Sequence, residues 1–314
     1  MGTTTYPAKV VTNLSDLMRF EYMVQAGNIL PKRNIYSILA GQHAAKMRGR
    51  GLDFEEDRLY VPGDDIRNID WKVTARTNET YSKVFNEEKE RPTFTLLDQS
   101  TMMFFGSQLY VKSVTAAHVA ALTAFYTIKR GDRFGGLIFN EDGYDYVEPK
   151  RNKALVEHFL QLVVERNKVL PLRKKIALNS ALLEDMLNRT RSLITHDYVI
   201  TVITNLLILD EDCKHYLKSM ANNNDIILVH VEDPMDRQLP PGKLILTDGK
   251  KQIFWKNSNN NWGEKYSSFY ESRLDALIEE FRHYRIPVSI MSTAIPVEKQ
   301  IKSGIGRRVK KDSN

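Results

Sequence analysis

The chemistry-bearing residues of this chain centre on Asp98 and Ser100, in the segment RPTFTLLDQSTM at 91–102. A carboxylate and a hydroxyl two positions apart both offer oxygen, which is what a hard cation such as Mg2+ takes. Residues 93–97 before them form a short, largely apolar run that begins after Pro92 and the charged stretch 86–91. A brief apolar run between breakers suits a buried strand of a parallel sheet. Ligands of open α/β sheets sit outside the carboxyl ends of such strands, and Asp98 stands at that end. A second reading competes with the first: Asp98 caps the next segment and Ser100 helps it turn.

The elements that would hold this strand follow it in alternation. Apolar spacing predicts helices over 112–130, 153–166, 180–191 (capped by Asn179) and 211–220. Strands are expected at 134–139, 198–203 and 225–231, with 144–147 pairing back on 134–139 through the turn at 140–143. Alternation of this kind argues for an α/β fold with a doubly wound, Rossmann-type sheet and helices on both faces. Upstream, a helix is expected over 13–24, then a weaker apolar segment at 35–45. Downstream come a hairpin pairing 244–246 with 252–255, a long helix at 264–284 and a last strand at 287–291. His118 falls on the apolar face of its helix and reads as a core histidine with one hydrogen bond.

Composition fits a soluble globular chain: 314 residues, 42% hydrophobic and 27% charged. The net charge of +6 is mild, and much of it sits in the tail at Lys302, Arg307, Arg308, Lys310 and Lys311. No interleaved aromatic or basic module accompanies that tail, so it reads as a solvated end and no nucleic-acid partner is expected. One cysteine, Cys213, rules out an internal disulfide framework and zinc sites of the CxxC type, and fits a reducing compartment. His215 lies two residues from it, a spacing that does not face on a helix, so Cys213 reads as a quiet thiol. The first residues lack the apolar core of a secretory signal, and no run reaches the ~18 apolar residues of a spanning helix. The expectation is a cytoplasmic protein with membrane association peripheral at most. There is no G-x-x-x-x-G-K-[ST], no H-E-x-x-H and no G-x-S-x-G, and Gly131, Gly135 and Gly136 do not make a dinucleotide fingerprint. Nothing spells out an enzyme.

The densest local pattern is 49–78, with Asp53, Glu55, Glu56, Asp57, Arg58, Arg67, Asp70, Lys72 and Arg76 around a Pro62-Gly63-Asp64-Asp65 turn. Mixed charges this close, with Ile69 and Trp71 among them, imply a packed ion-pair network fixed by bidentate guanidinium–carboxylate pairs. Structural staples, a partner-binding face and a catalytic acid cluster are three readings of it. Residues 81–85 beyond it alternate like an edge strand.

The segments GRGLDFEEDRLYVPGDDIRNIDWKVTART, YSKVFNEEKERPTFTLLDQSTMMFFGS and RGDRFGGLIF together resemble domain of unknown function family fifty-eight (DUF58). That family is a von Willebrand factor A-like group usually encoded beside MoxR-type AAA+ ATPases. Its GxxFxxxRxYxPGDDxRxIDW hallmark is matched from Gly51 and Phe54 through Arg58, Tyr60, Pro62, Gly63, Asp64, Asp65, Arg67, Ile69, Asp70 and Trp71, and the match continues through Arg76. The resemblance implies a von Willebrand factor A-like domain at 92–296. It also implies an N-terminal helical and β extension at 1–91 that carries the hallmark, and a basic, flexible tail at 297–314.

In such domains a DxSxS motif, a Thr from a later loop and an Asp from a later strand end bind a divalent metal that completes its shell with a partner's carboxylate. Here Asp98 and Ser100 match, Met102 replaces the second Ser, the Thr position falls near Ile176-Ala177, and Asn205 stands at the later Asp position. A thioether and a missing carboxylate suit Mg2+ poorly, so the resemblance implies weak metal binding or none. It further implies a non-enzymatic adaptor that works with a MoxR-type AAA+ ATPase on a client protein. Arg58, Asp64, Asp65, Arg67, Asp70, Trp71 and Arg76 would either stiffen the docking face or form it. The alternative, from another class, is a metal-dependent hydrolase using the crevice at Asp98.

Overall fold

A computed structural model of the chain describes residues 6–26, 53–77, 79–86, 91–173, 180–240, 242–247, 252–256 and 260–303. The chain divides into two compact units: residues 46–90, and the rest. Helix α1 (Leu14–Gln25) opens the larger unit. Asn13 caps it, accepting from Asp16 N, and Leu17, Phe20 and Val24 form its buried stripe. The weak apolar segment at 35–45 and the capping residue Asn179 lie outside the described residues.

The smaller unit holds strand β1 (Asp53–Leu59), a 3-10 turn at Ile66–Asn68, helix α2 (Trp71–Thr77) and strand β2 (Tyr81–Asn86). β1 and β2 pair antiparallel, from Leu59 opposite Tyr81 to Asp53 opposite Asn86, with a bulge between Phe54 and Glu56. The expected edge strand is therefore half of a separate two-stranded ribbon. α2 buries none of its residues, so it carries no clean apolar period.

The chain then returns to the larger unit as β3 (Thr93–Asp98), followed by α3 (Lys112–Lys129), β4 (Phe134–Asn140), β5 (Gly143–Lys150) and α4 (Lys153–Lys168). After these come α5 (Ser180–Leu193), β6 (Val199–Thr204), α6 (Glu211–Ala221), β7 (Asp225–Glu232) and the short α7 (Pro234–Arg237). The hairpin strands β8 (Lys243–Thr247) and β9 (Gln252–Lys256), helix α8 (Asn260–His283), β10 (Val288–Ser292) and α9 (Val297–Lys302) complete it.

Six strands form one sheet in the order β10-β7-β6-β3-β4-β5. All neighbours are parallel except β5, which runs antiparallel to β4 at one edge. This is the mostly parallel, Rossmann-like α/β sheet expected from the alternation. β3 sits between β4 and β6, and all six of its residues are buried. Phe94 and Leu96 project to the same side as Leu137, Val202 and Leu228, where Leu183 and Leu187 of α5, Leu217 of α6 and Phe281 of α8 close the core. α3 and α4 pack on the sheet, and α1 lies against α3. α3 is buried almost end to end, with small residues such as Ala116, Ala117, Ala120 and Ala121 allowing close approach. Each large apolar side chain fully buried in such layers stabilises by about 1.5–3 kcal/mol relative to exposure.

Gly136 of β4 is required by one close approach. A Cβ there would stand 2.5 Å from Thr95 O and 2.8 Å from the Phe159 ring of α4. Gly143 at the β4–β5 turn has φ of 132°, a conformation side-chain-bearing residues rarely adopt. The packed core runs past the expected domain end at 296: α9 buries Val297 and Ile301, and Gln300 donates to Ser292 O and Ile295 O. Its apolar residues are too few to register as a helix against the basic tail that follows. Among the described residues no helix is long and apolar enough to cross a membrane.

Candidate functional site

Asp98 ends β3 opposite Phe139 of β4, with 1% of its surface exposed. Its Oδ1 accepts from Ser100 N at 2.8 Å, and its Oδ2 accepts from the Thr204 hydroxyl at 2.6 Å. The Ser100 side chain also hydrogen-bonds to it. Burial pushes the Asp98 carboxyl above the usual range. Hydrogen bonds from Thr204 and Ser100 oppose that rise, and the Glu141 charge adds to it. Asp98 is thus both a turn residue and a strand-end acid, so the two sequence readings describe one side chain. Thr204 was not singled out in the sequence. It arrives because β6 is the parallel neighbour of β3 and ends one position past the Leu97–Ile203 pair.

Glu141 comes from the β4–β5 turn. Its Oε1 accepts from Thr101 N at 2.8 Å and from the Thr101 hydroxyl at 2.6 Å. Among the described residues its Oε2 accepts no hydrogen bond, and Arg173 Nε stands 3.9 Å from it, also without a hydrogen-bond partner. The same guanidinium pairs with Asp142 through Nη2. Asp98, Ser100 and Glu141 line a cavity of about 180 Å³ at the carboxyl end of the sheet, walled otherwise by Phe139, Leu182, Leu183 and Ile208.

Asn205 follows Thr204, but its Oδ1 accepts from Leu207 N at 3.1 Å and caps the 3-10 turn at Leu206–Ile208. Met102 lies within the 3-10 turn Thr101–Met103. The Thr position expected near Ile176-Ala177 lies outside the described residues. Ser180 hydrogen-bonds to Asp210 and holds that carboxyl below its usual range. Mg2+ asks for a near-octahedral oxygen shell. Both Asp98 oxygens already accept hydrogen bonds, and the Asn205 oxygen is spent on its own turn. The described side chains fall short of that shell.

In the smaller unit the expected charge network is present as local staples. Arg58 Nη2 meets Asp64 Oδ1 at 2.6 Å, while Asp64 Oδ2 accepts from Val61 N. Arg67 Nη2 meets Asp65 Oδ2 at 2.8 Å, and Arg67 N donates to Asp65 Oδ1. Asp70 caps α2, accepting from Lys72 N and Val73 N, and pairs with Lys83 on β2 at 2.9 Å. The hydrogen bond from Arg67 holds Asp65, and that from Lys83 holds Asp70, below the usual carboxylate range. Trp71 and Ile66 are each 68% exposed, and Arg76 is exposed at the end of α2.

The profile of the family described as protein of unknown function DUF58 matches residues 56–264. The chain belongs to that family. Similar proteins include the uncharacterized proteins Rv1480 and MT1527 of Mycobacterium tuberculosis and Mb1516 of Mycobacterium bovis. Each is 27% identical over 226 residues, covering 71% of this chain and 68% of the relative. The match takes in both the stapled hallmark and the strand end at Asp98.

This DUF58 chain also contains a buried polar chain that sequence reading passed over. His230 Nδ1 accepts from Leu206 N at 3.1 Å, which leaves Nε2 to donate to the Tyr270 hydroxyl at 3.0 Å. Tyr270 donates to Glu232 Oε2 at 3.1 Å, and Arg237 Nε donates to Glu232 Oε1 at 2.8 Å. Burial, with the charges of Lys112 and Arg237, lowers the His230 pKa to about 3. Next to it, Asp233 accepts from Ser107 and Thr293 and caps α7. Burial pushes the Asp233 carboxyl up, but those hydrogen bonds outweigh it and hold it below the usual range. Tyr270 sits on the apolar stripe of α8, and nothing in its spacing reveals the hydroxyl's partners.

Proposed function

We propose that this DUF58 chain is a von Willebrand factor A-like binding module. It docks a partner at the carboxyl end of its sheet and works as an adaptor with a MoxR-type AAA+ ATPase on a client protein. The observation that carries this reading is the cavity beside Asp98, whose polar side chains are fixed by bonds within the chain. A preformed site loses little freedom on binding, which suits recognition. The stapled hallmark supports it too: Arg58–Asp64, Arg67–Asp65 and Lys83–Asp70 rigidify a turn that displays Ile66 and Trp71. A metal-dependent phosphoesterase on the same crevice is the second reading, favoured by the raised Asp98 carboxyl.

The test is a pull-down of the tagged full chain from its own cells, with and without EDTA, beside Asp98→Ala and Asp65→Ala baits. An AAA+ ATPase identified with wild type and lost with Asp98→Ala supports docking at the crevice. Loss with Asp65→Ala alone moves the docking face to the hallmark. Hydrolysis of p-nitrophenyl phosphate by pure protein, abolished in Asp98→Asn, replaces the adaptor reading with the enzyme.

A further inference from the structure

The crevice at Asp98 sets its own limits on what it can hold. At about 180 Å³ it falls below the roughly 300–1,000 Å³ of small-molecule and cofactor pockets. It is somewhat larger than the ~150 Å³ cavity that takes a benzene ring. One side chain fits; a nucleotide does not.

Charge then fixes the sign of the occupant. Among the described residues, Asp98, Glu141 and Asp142 bring three carboxyl groups to this end of the sheet; Arg173 pairs with Asp142, and Arg166 is taken up by Asp145 and Asn140. Glu141 Oε2 is desolvated and, among the described residues, accepts no hydrogen bond; Arg173 Nε stands in ion-pair range at 3.9 Å, beyond hydrogen-bond distance. A desolvated carboxylate oxygen without a donor is costly and is relieved by a charged hydrogen-bond donor. Among the described side chains the balance at this rim is negative, which disfavours an anionic ligand.

The walls decide between kinds of cation. Phe139, Leu182, Leu183 and Ile208 give the cavity an apolar side. A divalent ion surrounds itself with oxygen and leaves such walls uncovered. A lysine or arginine side chain buries its hydrocarbon stem along apolar surface while its head reaches polar groups. We infer that the crevice receives a single lysine or arginine side chain from the partner, its stem against Leu182 and Ile208 and its cationic head at Glu141 Oε2. The recognition chemistry is thus the reverse of a metal that captures a partner's carboxylate. This inference rests on the docking reading above for its partner, but not for its chemistry.

The experiment titrates the purified full chain, labelled at Leu and Ile methyl groups, with n-butylguanidinium or n-butylammonium chloride at constant ionic strength. Parallel titrations use n-butanol and MgCl2. Saturable shifts of the Leu182, Leu183 and Ile208 methyls with either butyl cation are expected, with much smaller shifts for n-butanol. Binding should weaken roughly tenfold in Glu141→Gln, the loss of one charged hydrogen bond, and more modestly in Leu182→Ala, with unchanged thermal unfolding marking both variants as folded. No saturable shift with either butyl cation, or Mg2+ saturating the same methyls while they do not, overturns the inference. If the ATPase is captured through the crevice but the butyl cations do not bind, docking survives and this chemistry falls. If they bind but no ATPase is captured, the reverse holds.

Discussion

At the scale of single residues, two buried groups make the site region sensitive to pH and insensitive to thiol reagents. His230 is neutral when folded, with a pKa near 3, against 6.5 unfolded. Between those values only the unfolded chain binds the proton, so stability falls as the solution is acidified through that window and levels off below it. The slope is about 1.4 kcal/mol per pH unit for this one group. Urea unfolding at pH 7 and pH 5 measures it, and His230→Gln should flatten the difference by roughly that amount per unit. Cys213 is wholly buried, and burial beside Asp210 pushes its thiol up to about 12. Ellman's reagent at pH 8 should leave it unlabelled in the native protein and label it fully in urea; rapid native labelling would show that this layer of the core opens. Asp98 and Ser100 were legible because a hydroxyl and an acid at a strand end carry meaning by type and place. Glu141 and Thr204 were not: Glu141 is 40 positions from its partner Thr101, and Thr204 is 106 from Asp98. Only the parallel pairing of β3 with β4 and β6 brings them in.

Among the elements, those with an apolar period were read correctly, and those held by charges were not. β3, β4, β6 and β7 announce themselves as short apolar runs because both faces of each are covered. α2 has no such face; Asp70 sets its start by accepting two backbone N–H groups while its other oxygen meets Lys83. Replacing it as Asp70→Ala should therefore loosen the start of α2, as the loss of a helix cap does. Faster amide exchange confined to residues 71–77 is the expected readout, and uniform exchange across the chain would contradict it. Gly136→Ala tests the opposite kind of element. Its Cβ would collide with Thr95 O and the Phe159 ring, forcing β3, β4 and α4 apart. A loss of about 1–3 kcal/mol, as for overpacked cores, should appear in denaturant midpoints.

For the molecule as a whole, the sheet order and its antiparallel edge place Asp98, Thr204 and Glu141 on one rim. The polar chain from His230 to Arg237 runs from the end of the neighbouring strand β7. Membership of the DUF58 family rests on a match that spans both units of the chain. The short α9 belongs to the core it follows, through Val297, Ile301 and Gln300. Truncation after Pro296 should lower the melting temperature by several degrees, given roughly 2–4 °C per kcal/mol for domains of about this size. An unchanged melting curve would mean that the helix contributes nothing to the core.

Helix α1 has one more consequence, for the growing chain on the ribosome. Its apolar stripe of Leu17, Phe20 and Val24, and the carboxylate of Asp16, find their cover in α3, where His118 waits 102 residues downstream. At roughly 5–20 residues per second of synthesis, the stripe stays uncovered for about 5–20 s after it is made. In that interval the nascent chain displays a greasy helix with no native mate, so a holdase acting early in translation would meet α1 before anything else in the larger unit.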